Sequence, residues 1–323
     1  VSIVRRSSAL DLIVPAGATV EYLFSGMGAG EGPVWDEQRA CLLFTDHQNS
    51  RLYRWSPSSG VTVAAEATDH GNGTTRDRDG RTLICQRGGL VALTDDGERS
   101  IVAESVAGEK FRVTIDVALR SDGTVYFGGS TTANFEDAGL AIQPDGTVRF
   151  IPPHTDAAGR PSSGFAVYRT HLGGNGETEV ALDDILMPNG LAFSPDESVL
   201  YAVDTRAAQL RAIPVGADGD LDASRGRVLF DFSTVDATGL TDGVAVDRAG
   251  NVYCAAPGGI WIIDPDGQHL GTISLGSDEY HTNCAFGGPA WQTLFITTHQ
   301  LLACIELSSS GIVLPRPAGQ SAT

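Results

Sequence analysis

The chain has 323 residues, of which 22 are Lys or Arg and 40 are Asp or Glu, a formal net charge of −18. A field of that sign repels phosphate backbones and anionic lipid heads, so nucleic acids and membrane surfaces are excluded as expected partners. A hydrophobic content of 41% excludes global disorder, no apolar run approaches the ~18 residues of a membrane span, and 39 Gly and 15 Pro punctuate many short strands.

The N-terminal stretch VSIVRRSSALDLIVPAG has arginines but no sustained apolar segment behind them. It does not read as a signal peptide, and the cytosol is the expected location. From Glu31 a pattern recurs: a polar residue, a small residue, an apolar strand, a D-x-x-G-like turn, then a second apolar strand. The first copy, EGPVWDEQRACLLFTD, is followed by the strand pair RLYRWSPSSGVTVAA. The second is NGTTRDRDGRTLICQ from Asn72 and the third IDVALRSDGTVYFGG from Ile115. The stretch from about Thr131 to Gly176 is polar and Pro/Gly-rich, and reads as an insertion between repeats. The remaining copies are NGLAFSPDESVLYAVD from Asn189, DGVAVDRAGNVYCAA from Asp242 and NCAFGGPAWQTLFITT from Asn283. GIWIIDPDGQHLGTI, another strand pair, separates the last two.

The starts are 41, 43, 74, 53 and 41 residues apart. Four short strands with their turns need roughly 40–45 residues, the size of a propeller blade. Six copies predict an all-β fold: a six-bladed β-propeller of four-stranded antiparallel blades around a central channel. It forms a single domain over residues 1–323, with its core at about 20–310 and the insertion at about 131–176.

In such a fold the inner strands run in one direction, so the residues opening the copies share a level and face the axis. They are Glu31, Asn72, Ile115, Asn189, Asp242 and Asn283, and five of the six carry side-chain oxygens. Asn-Gly and Asp-Gly are also turn dipeptides, which explains the small second residue but neither Glu31 nor a ring. Oxygen donors without His or Cys suit Ca²⁺, Mg²⁺ or Mn²⁺. Glu31 and Asp242 would balance a dication and Asn189 would add a neutral oxygen, leaving open positions as in a Lewis-acid catalyst. Asp46, Asp204 and His299, at the ends of second strands, are expected near the same face, and His281 flanks it.

Other chemistries lack their residues. There is no G-x-S-x-G elbow and no H-E-x-x-H, and Lys110 is the only lysine available to a lysine-based mechanism. Cys41, Cys85, Cys254, Cys284 and Cys304 form no C-x-x-C, and four lie in apolar runs, so they read as reduced core residues.

At EGPVW, PNGLAFSPDES, DGVAVDRAGNVY and TNCAFGGP the chain resembles the senescence-marker-protein/gluconolactonase family of regucalcin-like propellers, over about residues 20–305. The resemblance implies a divalent metal held by Glu31, Asn189 and Asp242. Ca²⁺ is the expected ion, with Zn²⁺, Mg²⁺ and Mn²⁺ as alternatives. It further implies hydrolysis of a sugar lactone or related cyclic ester, with Asp242 as base or nucleophile. Many members carry an Asn-Asp pair in the third copy. Here RVTID sets Ile115 in place of that Asn and keeps Asp116, which removes a polar partner and shifts the expected substrate toward a less polar one. Arg112 lies one residue out of register with a substrate-binding Arg of some relatives. Asn72, Arg112, Ile115, Asp116, Asn283 and His299 are therefore the candidate contacts to a small-molecule substrate. Two other readings stay open. One is a different reaction on the same scaffold, such as C–C, epoxide or phosphoester cleavage or a non-hydrolytic step. The other is a protein-binding propeller without chemistry, for which a channel ring of ligand-type residues is unnecessary.

Overall fold

The D-x-x-G turns of the repeat close the inner hairpins by their own chemistry. At Asp247–Gly250 the aspartate oxygen accepts the amides of Ala249 and Asn251, and Gly250 takes φ +89°, a left-handed conformation natural to glycine. In the computed structural model the described residues are 1–132, 164–174 and 177–315, with the backbone of two short strand pairs, 140–142 with 148–150 and 154–155 with 161–162. Much of the insertion expected at 131–176 therefore falls outside the described residues, and Phe165–His171 within that range is a blade strand instead.

Six antiparallel sheets form a six-bladed β-propeller. Blade I runs outward through Gly30–Asp36, Cys41–Asp46, Arg51–Ser56 and Gly60–Glu66. Blade II comprises Thr74–Arg76, Thr82–Gln86, Gly89–Leu93 and Arg99–Ala103. Blade III comprises Val113–Leu119, Thr124–Ser130, Phe165–His171 and Glu179–Leu182. Blade IV comprises Pro188–Phe193, Val199–Asp204, Gln209–Pro214 and Arg227–Asp231.

The last two blades recruit the N-terminal segment. Blade V is Val244–Val246, Val252–Ala256, Gly259–Ile263 and His269–Ser274, with Ser2–Arg5 added as a fifth, outermost strand. Blade VI has three strands of its own, His281–Gly287, Thr293–Thr298 and Leu301–Glu306; its fourth is Val20–Ser25. That pairing closes the ring. Among the described residues, two short 3₁₀ turns, Ser8–Leu12 and Ala223–Arg225, are the helical structure, and no described helix is long and apolar enough to cross a membrane.

The core lies between blades. Trp35 of blade I stacks on Phe295 of blade VI at 5.8 Å, and Tyr126 of blade III meets Phe193 of blade IV edge-on at 5.3 Å. Tyr253 of blade V packs on Phe286 of blade VI at 4.9 Å. Each such buried ring stabilises the fold by about 1.5–3 kcal/mol. All five cysteines are unpaired and buried, as their apolar sequence settings predict.

The C-terminal strap runs beneath the axis, on the face opposite the ring of opening residues. Ser309 bonds the Tyr253 hydroxyl at 2.8 Å, and the Gly311 amide donates to the Trp291 carbonyl at 2.7 Å. Ile312 and Leu314 then border a cavity of about 100 Å³, lined also by Leu119, Phe193 and Phe286 and reaching Asp116 and Asn283.

Candidate functional site

The glycine second in four of the copies has a packing reason that turn chemistry does not supply. A Cβ on Gly73 would lie 2.0 Å from an Asp116 oxygen, one on Gly190 2.5 Å from the Asp242 carbonyl, and one on Gly243 2.0 Å from the Asn283 amide carbon. Gly32, at φ +45°, would meet the Asn72 carbonyl at 2.3 Å. These glycines let adjacent inner strands approach closely enough to bring their polar residues together. Backbone bonds cross the same seams, from Gly73 to the Ile115 carbonyl at 2.8 Å and from Gly243 to the Thr282 carbonyl at 2.7 Å. Threonine hydroxyls add further staples: Thr45 donates to the Asn72 carbonyl at 2.7 Å, and Thr205 to that of Thr241 at 2.7 Å.

Inner-strand bulges aim the residues inward. The register shifts between Glu31 and Val34, between Thr114 and Val117, and between Pro188 and Leu191. The result brings Glu31, Asp116, Asn189, Asp242 and Asn283 to one buried place, each only 6–9% exposed. The Asn283 amide lies beside Glu31, and the Asn189 amide beside Asp242. Asp116 accepts the amides of Val117 at 2.9 Å and of Leu191, across the blade seam, at 3.1 Å.

Three acids in one buried site resist ionisation. Burial, with the charge of Asp116, pushes the Glu31 carboxyl up to about 8. Burial pushes Asp116 up to about 7 against the opposing amides of Val117 and Leu191. Asp242 is raised well above the usual carboxylate range by burial, then by Glu31 and Asp116. Oε2 of Glu31 is buried without a hydrogen-bond partner.

The other candidates take different places. Asn72 is buried in blade II, its backbone clamped by Thr45 and by the Cys85 carbonyl. Ile115 is fully buried in an apolar cluster with Val113, Phe165 and Met187, so it is Asp116 that joins the acids from the third copy. Arg112 is exposed one residue before the inner strand of blade III. Asp46 and Asp204 anchor loops: Asp46 accepts the amides of Gly28 and Ala29, and Asp204 those of Leu186 and Met187. Each pins the chain leading to its own blade's opening residue, Glu31 or Asn189. His281 is buried, with the Leu275 amide donating to its Nε2 at 3.0 Å. His299 is exposed and stacks on Tyr280 at 4.3 Å. Sequence reasoning did not single out Tyr280, because it precedes the repeat and has no counterpart in the other copies.

Known proteins share this architecture. Over 333 aligned residues the chain is 27% identical to a gluconolactonase of Zymomonas mobilis, covering 96% of this chain and 87% of that protein. It is 27% identical to a pentonolactonase of Haloferax volcanii over 272 residues, 83% of this chain and 81% of the other. The solved structure of a gluconolactonase from Xanthomonas campestris superposes with a TM-score of 0.76 at 28% identity, over 94% of each chain. Residues 29–300, the span that carries every ring residue from Glu31 to Asn283, match the SMP-30/Gluconolactonase/LRE-like region, and the chain belongs to that family.

Proposed function

We propose that the chain hydrolyses a lactone, a small cyclic ester, with the help of a divalent cation. The observation that carries this reading is the convergence of Glu31, Asp116 and Asp242 in one buried site where a Glu31 oxygen lacks any partner. It is supported by the lactonases among the chain's relatives.

The residues fit a hard cation. Every candidate donor is an oxygen, and the unsatisfied Oε2 of Glu31 is of the kind that an ion would satisfy. Among the described residues no group of three or more His, Cys, Asp and Glu side chains forms a metal site by itself, so the donor set draws on the Asn189 amide. Glu31, Asn189 and Asp242 would hold the ion, with Ca²⁺ the expected one. When bound, a divalent cation supplies polarisation of the ester carbonyl. Asp242 accepts a proton as water adds to the carbonyl carbon, and returns it to the ring oxygen as the C–O bond breaks. The product is the open hydroxy acid. Asn189, beside Asp242, and Asn283, beside Glu31, would orient these carboxylates.

The test is a hydrolysis panel of sugar lactones, alkyl lactones and phosphotriesters with Ca²⁺, Zn²⁺, Mg²⁺ or Mn²⁺ supplied in turn. Lactone turnover that is lost in Glu31→Gln and Asp242→Asn is expected. Turnover of none of the lactones with any ion would overturn the reading.

A further inference from the structure

Two side chains at the rim of the acid cluster belong neither to the repeat nor to the donor set. Tyr280 sits three residues before Asn283, and His299 follows the second strand of blade VI. Their rings are nearly parallel, 7° apart with centroids 4.3 Å apart, and the His299 amide donates to the Tyr280 carbonyl at 3.2 Å. Backbone and rings thus lock the pair together.

Both members are also tied to the acids. The amide of Gly30, next to Glu31, donates to the His299 carbonyl at 3.1 Å. On the other flank the backbone of Leu240, two residues before Asp242, lies at the Tyr280 hydroxyl. The pair therefore spans the side of the site between Glu31 and Asp242. Burial and the charges of Asp242 and Glu31 raise the Tyr280 phenol well above its ordinary value, and the partial burial of its imidazole lowers His299. Near neutral pH this is an uncharged aromatic wall beside three acids, half-buried at Tyr280 and open to solvent at His299.

We propose that the Tyr280–His299 stack forms the wall that seats the substrate, Tyr280 taking the flat, C–H-bearing face of a cyclic ester on the ring face that His299 does not cover, while the acyl end points at Glu31 and Asp242. The inference rests on the lactonase reading above and specifies what the site grips away from the reacting atoms. The negative face of an aromatic ring attracts the positively polarised C–H groups beside an ester, and a closed ring presents them as one flat face. The opened hydroxy acid loses that face and carries a carboxylate toward three acids, so the same wall favours product release.

Steady-state kinetics of Tyr280→Ala, Tyr280→Phe and His299→Ala on the lactone that the wild-type chain turns over fastest, with melting curves for each, decide the matter. Loss of the aromatic contact should raise KM about two- to twelve-fold in Tyr280→Ala and His299→Ala with kcat little changed, while Tyr280→Phe keeps the wild-type KM. A purely structural role would lower the melting temperature and kcat together without a separate change in KM. If Tyr280→Ala does not fold, the exposed His299→Ala carries the test. Unchanged KM in the alanine variants overturns the wall but leaves lactone hydrolysis standing. A wild-type chain that hydrolyses no lactone overturns both.

Discussion

A methyl group on Gly243 would lie 2.0 Å from Cγ of Asn283, so the absence of a side chain on blade V sets where the amide of blade VI can stand. Gly243→Ala should therefore cost about 1–3 kcal/mol through overpacking and displace Asn283 from Glu31. Gly276 is the control, because a Cβ there meets only Glu279 Cγ at an ordinary 3.4 Å. Gly276→Ala should be neutral or stabilising by about 0–1 kcal/mol. Melting curves of the two variants check the contrast, and equal losses would count against the close-approach argument.

Without a cation, stability should fall as pH rises from about 6.5 to 8.5. Glu31 at about 8 and Asp116 at about 7, with Asp242 raised in the same sense, lie above their unfolded values near 4, so the folded state holds protons the unfolded chain has lost. Each group contributes a slope of at most ~1.4 kcal/mol per pH unit. Below 6.5 an opposite effect enters. His47 and His281, held down to about 4 by burial, make stability rise with pH between 4 and 6.5. The window above 6.5 isolates the acids. Denaturant titrations at several pH values, in chelator, should show the decline, and Glu31→Gln should flatten it.

Adding Ca²⁺ should reverse that decline. An ion held by ionised Glu31 and Asp242 stabilises only the folded state, by about 2.7 kcal/mol at a hundredfold excess over its Kd. The rise in melting temperature should be larger at pH 8 than at pH 6, since protons compete for the same oxygens. Asn189→Ala and Asp242→Ala should both shrink it, Asp242→Ala more because it removes charge. Titration calorimetry on the three proteins measures the order directly.

Ile115→Asn should destabilise the fold. The side chain is fully buried among Val113, Phe165 and Met187, where an amide finds no partner, at a cost of about 1–3 kcal/mol. A simultaneous gain in kcat/KM for polar sugar lactones would show instead that position 115 reads the substrate, as the third-copy pattern alone leads one to expect.

Much of this architecture is legible in the residues themselves. Apolar strands between D-x-x-G turns at blade-sized intervals specify six blades, and the openers Glu31, Asn189, Asp242 and Asn283 point to one place. The third copy misleads because I-D can be aligned by Ile115 or by Asp116, and only the three-dimensional register shows that Asp116 meets the acids. Asp46 and Asp204 look like site residues in the sequence since a carboxylate near the right face carries no mark of what it bonds. In the structure loop amides occupy both. Tyr280 escapes because its importance comes from His299 and Leu240, distant in sequence and adjacent only after the ring closes. The strand roles of SIVR and VEYLFS are hidden for the same reason: their partners lie over 250 residues away.

Blade VI takes its outermost strand from Val20–Ser25 and that strand's partner from Leu301–Glu306. During synthesis at about 5–20 residues per second, the first waits roughly 15–60 s for the second to be made. Throughout that interval a ready-made edge with Tyr22 and Phe24 has nothing to pair with, and an incomplete ring offers the complementary edge of a neighbour's blade VI as the nearest substitute. Exchange of this segment between two copies is accordingly the characteristic misassembly of the fold. It should appear first when many chains are made at once, and fade when they are made at low concentration.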